Sequence, residues 1–179
     1  MKDPSSGPYL FDASAERWLV GGRDPASARW FQEYVALHAV HVSAITVVER
    51  IRGYALLWQR ARPDRKMDVE RARIDYLKQL GTVLPLDIHT AVVAAEIMAL
   101  IPKPPVSRRR THQENESRQE RLARWRFDVM IAATALVHRM TLIHNNAEDF
   151  ETIRGAIERT PQRFPKLGPL ELRRCNAVA

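Results

Sequence analysis

The chain has 179 residues, 45% of them hydrophobic, and 28 Lys and Arg against 21 Asp and Glu give it a net charge of +7. That length suits one domain, 1–179, with a sizeable core, and the apolar content excludes wholesale disorder. No apolar stretch is long enough to span a membrane, and the opening MKDPSSGPYLFD has no apolar signal region, so a cytoplasmic protein is expected.

Cys175 is the only cysteine. It excludes an internal disulfide and a multi-cysteine zinc site, and it fits a reducing compartment. The six histidines lack the paired spacing of a zinc enzyme or zinc finger. Any metal chemistry therefore falls to oxygen ligands. The basic balance favours a polyanionic partner, with solubility as the plainer explanation.

In chain order, Tyr9-Leu10-Phe11 reads as a buried strand that ends at Asp12. Trp30, Phe31, Tyr34 and Leu37 recur at helical spacing and predict a helix over 26–37. A second strand, 41–45, runs into Thr46-Val47-Val48-Glu49, a capping-box pattern opening a helix to Trp58. A helix over 69–80 with Ile74, Leu77 and Leu80 on one face follows, then a strand at 82–86, placed near an edge by Pro85.

An Ala- and Val-rich helix over 89–101 ends at Pro102, and a charged stretch extends to Arg126 with Arg108, Arg109 and Arg110 together. Asp128 opens an apolar helix, 129–138; a strand at 141–144, a helix over 149–159 and a short strand at 169–172 complete the chain. Strands alternating with helices predict a parallel sheet covered on both faces.

Asp12, Glu49, Asn146 and Asp149 follow predicted strands, and Asp128 heads the helix that leads into the fourth. A doubly wound sheet brings such groups to its carboxyl edge, where open α/β sheets bind ligands. Two carboxylates about 4 Å apart repel by roughly 4 kcal/mol at an effective dielectric near 20. A divalent cation removes that cost, and an all-oxygen set selects Mg²⁺ or Mn²⁺. Each residue also has a structural explanation. Asp12 suits a turn, Glu49 the third helical position of a capping box, and Asp128 and Asp149 the electropositive start of a helix.

Phe127 to Ile153, FDVMIAATALVHRMTLIHNNAEDFETI, closely resembles the C-terminal motif of PIN-domain proteins of the VapC toxin type. YLFDAS, Tyr9 to Ser14, and SAITVVERIRGYAL, Ser43 to Leu56, resemble the family's first two motifs, and VLPLD its third strand. The resemblance implies a three-layer α/β/α fold with a central parallel sheet, often dimeric. It implies a Mg²⁺- or Mn²⁺-dependent endoribonuclease, usually the toxin partnered by a cognate antitoxin, that cleaves RNA with a water activated by the metal.

Carried over by motif, Asp12, Glu49 and Asp128 take the metal-binding acid positions and Asn146 the fourth, with Asp149 beside it. Ser14 stands where many members have Asn, His144-Asn145 replaces the commoner Thr-Arg, and 102–126 is longer and more charged than is typical. A PIN-like RNA-binding or scaffolding protein without catalysis is the alternative. A basic DNA-binding regulator would need a helix-turn-helix spacing, and none is found.

Arg108 to Arg110, with Lys103 and Arg118, read either as an RNA-backbone track or as a solvated charge run. Trp58, Trp125 and Phe127 read as base-stacking residues or core, with core favoured. The same choice holds for Trp30, Phe31 and Tyr34 as an antitoxin groove or core, and for His144 as a proton carrier or a bystander.

Overall fold

The computed structural model describes residues 4–20, 25–105 and 117–175. Arg108, Arg109 and Arg110 lie outside the described residues, as does most of the charged stretch before Ser117. Five parallel strands form one sheet in the order β3-β2-β1-β4-β5: β1 Tyr9–Phe11, β2 His41–Ser43, β3 Thr82–Leu84, β4 Thr141–His144 and β5 Leu172–Arg174. The helices are α1 Ala13–Val20, α2 Pro25–Leu37, α3 Ala44–Arg60, α4 Lys66–Lys78, α5 Ile88–Leu100, α6 Arg118–Val137 and α7 Ala147–Arg159.

The strands are short and nearly all apolar at the centre, as a sheet buried on both faces requires. Alternation sorts the side chains into two cores. Leu10 and Leu142 enter one core with Val129, Ile131, Phe150 and Ile153 from α6 and α7. Tyr9, Phe11 and Ile143 enter the other with Trp30 and Tyr34 from α2. The sheet is thus the middle layer of an α/β/α sandwich. Trp30 and Tyr34 are fully buried and stack at 5.4 Å, and the Tyr34 hydroxyl accepts from Tyr9 N at 3.0 Å, so both are core residues.

Several boundaries differ from the sequence reading. The cap of α3 is Ser43, whose Oγ accepts from Thr46 N at 2.9 Å, so β2 stops at Ser43 and Thr46-Glu49 is not a capping box. The larger difference is α6. It starts at a full capping box of Ser117 and Glu120 and runs 20 residues, which places Asp128 mid-helix instead of at its head. Its first half, RQERLARWRF, is too charged to show apolar periodicity, although Trp125 is buried and donates from Nε1 to Ile101 O at 3.2 Å.

In α4 it is Tyr76 that is buried, while Ile74 and Leu77 are exposed. The edge position of β3 agrees with the sequence reading, and Pro85 lies just beyond the strand. The last strand begins at Leu172 instead of Pro169. Proline cannot donate to the ladder, and it is Leu142 of β4 that pairs with Leu172.

The turn from α6 to β4 is a Schellman motif. Arg139 N donates to Leu136 O at 3.2 Å, Met140 N donates to Ala135 O at 2.9 Å, and Arg139 has φ 52°. This turn fixes the direction in which β4 approaches β1.

Candidate active site

Asp12 follows β1 and is almost fully buried. Its carboxylate accepts from Ala15 N at 2.6 Å, and the Ser14 hydroxyl lies 2.9 and 2.8 Å from its two oxygens. These bonds favour the ionised form, but burial outweighs them and lifts its pKa from 3.8 to about 6. Ser14 Oγ also accepts from Asn145 N at 3.1 Å and so ties the end of β1 to the end of β4.

Glu49 lies in the second turn of α3, released from capping by Ser43. Burial first, and the Asp12 charge second, raise its pKa from 4.5 to about 7. Asp128 projects from the middle of α6 and is buried. Its pKa is pushed well above 3.8, first by burial and then by Asp149, Glu49 and Asp12. The charges of Asp12, Glu49, Asp128 and Asp149 thus oppose one another across a shared space.

Asn146 joins two of them. Its Nδ2 donates to Asp128 Oδ2 at 3.0 Å and to Asp149 Oδ2 at 2.7 Å. Asp149 Oδ1 is buried without a hydrogen-bond partner and lies 3.8 Å from Arg121 Nη2. All five residues singled out from the sequence, Asp12, Glu49, Asp128, Asn146 and Asp149, therefore border one polar cleft of about 430 Å³.

Arg17, Arg121, Arg124 and Glu148 border the same cleft and were missed from the sequence. The spacing of Arg121, Arg124 and Asp128 is helical, and Ser117-x-x-Glu120 is a capping signature. Extending the helix back to that signature would have placed both arginines on the face of Asp128.

His144 does not border the cleft. It is buried with its ring 5.0 Å from Phe150, and burial lowers its pKa to about 4, so it is a neutral core residue instead of a proton carrier. Trp58 is exposed, with Lys66 Nζ 4.0 Å from its ring centre, and Phe127 packs on the core.

The donor set suits a hard divalent cation. It consists of oxygen ligands, several are buried carboxylates, and one buried carboxylate oxygen lacks a hydrogen bond. With all groups ionised, the five lining carboxylates and three guanidiniums leave a formal charge of −2, so the cleft still attracts a cation. Among the described residues, however, no three Asp, Glu, His or Cys side chains converge closely enough to hold an ion as they stand. Binding would require the carboxylates to draw inward.

The chain matches the PIN domain family over residues 9–156, which bracket four of the five strands and the whole cleft, and it belongs to that family. It is 28% identical over 115 residues to Ribonuclease VapC1 of Rickettsia felis, covering 64% of this chain and 71% of that one. Similar folds occur in the VapBC2 structure from Rickettsia felis bound to a promoter DNA fragment (TM-score 0.56, 15% identity, 93% of this chain and 97% of that chain). The DNA-bound VapBC structure from Salmonella typhimurium is similar too (TM-score 0.55, 17% identity, 93% and 97%). At these identities the two structures bear on the fold alone.

Proposed function

We propose that this PIN-domain protein is a Mg²⁺- or Mn²⁺-dependent endoribonuclease and the toxin of a VapBC-like toxin–antitoxin pair. The observation that carries the reading is the gathering of Asp12, Glu49, Asp128 and Asp149, from four different segments, at one polar cleft. Similarity to Ribonuclease VapC1 supports the substrate class.

Asp12, Glu49, Asp128 and Asp149, with the amide oxygen of Asn146, would hold the cation. A bound divalent ion would activate water and offset charge developing at phosphorus during in-line attack. Ser14 fixes the Asp12 carboxylate through its hydroxyl, and Asn146 spaces Asp128 from Asp149 by donating to both. Asp12 and Asp128 bind as carboxylates, so loading the site displaces the protons that burial favours.

An antitoxin protein is the partner in this reading, as in the VapBC complexes of similar fold. A second groove, of about 540 Å³ and lined by Phe31, Val35, Tyr54 and Tyr76, supports a peptide partner. A homodimer belongs to the same reading, supported by the exposed Ile88 and Val92 on α5.

The test is cleavage of a mixed RNA pool with Mg²⁺ or Mn²⁺, beside EDTA and an Asp128→Asn control. Activity lost in both controls supports the metal nuclease. Activity surviving both would sink it, and no cleavage under any condition would favour a non-catalytic RNA-binding role.

A further inference from the structure

The acids of the cleft share their walls with arginines. Arg124 and Arg121 lie four and seven residues before Asp128 on α6, one and two turns up the same face, and Arg17 joins them from α1. The Arg121 guanidinium is fixed from behind by donating to Pro105 O, and it stands 3.8 Å from Asp149. Its side chain is 21% exposed, so it is pre-set in the cleft wall instead of waving in solvent.

These cations sit badly with a site built for a cation alone, because each one weakens the attraction of the acids for a metal ion. They suit a cleft that receives a cation together with an anion. A phosphodiester strand is such an anion, and a planar guanidinium matches phosphate oxygens two at a time.

We propose that Arg121 and Arg124, with Arg17, are positioning residues that grip the phosphates of a single-stranded RNA on either side of the bond to be cut. The first half of α6 is the structural device for this grip. It extends the helix back from Asp128 to Arg118 and places both arginines among the residues that border the cleft. The proposal rests on the nuclease reading, since a strand must lie across the acids for the grip to serve cleavage.

The experiment measures binding of a labelled single-stranded oligoribonucleotide of mixed sequence by anisotropy, in Mg²⁺, on the Asp128→Asn background so that turnover does not interfere. Arg121→Ala and Arg124→Ala are each expected to weaken binding roughly ten-fold and to reduce the slope of log affinity against log salt by about one. Arg121→Lys should recover part of the affinity and the whole slope, because the charge stays while the paired contact is lost.

Mn²⁺ affinity, followed by electron paramagnetic resonance on the unsubstituted acids, should rise in both alanine variants. RNA binding unchanged in folded alanine variants would overturn the grip and leave arginines that merely balance the acids, with the nuclease reading intact. No RNA binding by the parent protein, in a preparation whose circular dichroism shows it folded, would overturn the grip and that reading together.

Discussion

Ser14 Oγ sits between Asp12 and Asn145, within 2.9 Å of both Asp12 carboxylate oxygens and 3.1 Å from the Asn145 amide nitrogen. One hydroxyl thus orients the first acid and fastens the neighbouring strand end. Ser14→Ala strips both partners of that contact. It should cost about 1–2 kcal/mol in urea denaturation and lower RNA cleavage several-fold. Ser14→Asn, which keeps a donor and an acceptor, should retain most of both; a silent Ser14→Ala would deny the hydroxyl its role.

Removing charge from the acid ring should separate stability from activity. Glu49→Gln and Asp128→Asn each delete a carboxylate whose ionisation burial opposes. Both variants should melt higher than the parent in EDTA at pH 8 and cleave RNA at least 100-fold more slowly, the scale of losing a preorganised electrostatic group. Lower melting temperatures in both variants would contradict the repulsion inferred for the cleft.

The metal-free protein should lose stability as pH rises. Asp12 and Glu49 have folded pKa values raised to about 6 and about 7, so their contribution is complete below about pH 4 and is lost as pH climbs through those values. For Asp12 the displacement from 3.8 corresponds to about 3 kcal/mol. His144 acts in the opposite sense. Its pKa is lowered to about 4, so its contribution is lost as pH falls below 6.5.

The loss from the acids is therefore concentrated between about pH 4 and 7. Above pH 6.5, clear of His144, only the last part of the Glu49 loss remains, so the melting temperature in EDTA should fall only slightly between pH 6.5 and 8. Mg²⁺ added at pH 8 should reverse most of that fall. A melting temperature that climbs across this window would count against the burial of the acids.

Arg139 occupies the left-handed region at φ 52° in the turn between α6 and β4. Arg139→Gly should relieve that cost and stabilise the fold by about 1 kcal/mol, read from chemical denaturation, with cleavage unchanged. Destabilisation would mean that the arginine side chain itself holds the turn.

Trp125 offers a check on core against surface roles. It is buried and donates to Ile101 O, so Trp125→Phe should cost about 1–2 kcal/mol while RNA affinity per folded molecule stays the same. Loss of RNA affinity without loss of stability would instead restore the base-stacking role.

The acids were legible through motif order, because most of them come soon after strands whose apolar runs are easy to see. The sequence hid how they are held. Thr46 and Glu49 mimic a capping box, yet Ser43 three residues earlier takes the cap, and a local pattern cannot rank two overlapping candidates. Asp128 seemed to head a helix because apolar periodicity starts at Val129; the ten residues before it are helical through the Ser117 cap and the docking of Trp125 on Ile101. Arg121 and Arg124 were overlooked for the same reason, since they matter only once that half is wound. The strand at Leu172 carries Arg173 and Arg174 and is only partly buried, so it shows none of the hydrophobic signal of β1 or β4.

The bond between Ser14 and Asn145 spans 131 residues of chain. The central strand β1 is synthesised well before its partner β4, and Asp128 and Asp149 flank that later strand. Asp12 and Glu49 therefore wait, while the intervening chain is made, without the other half of their cleft. A nascent chain stalled before α6 carries two of the four acids and no place for them to meet. The four acids can therefore gather at one cleft only after β4 and the start of α7 have been made.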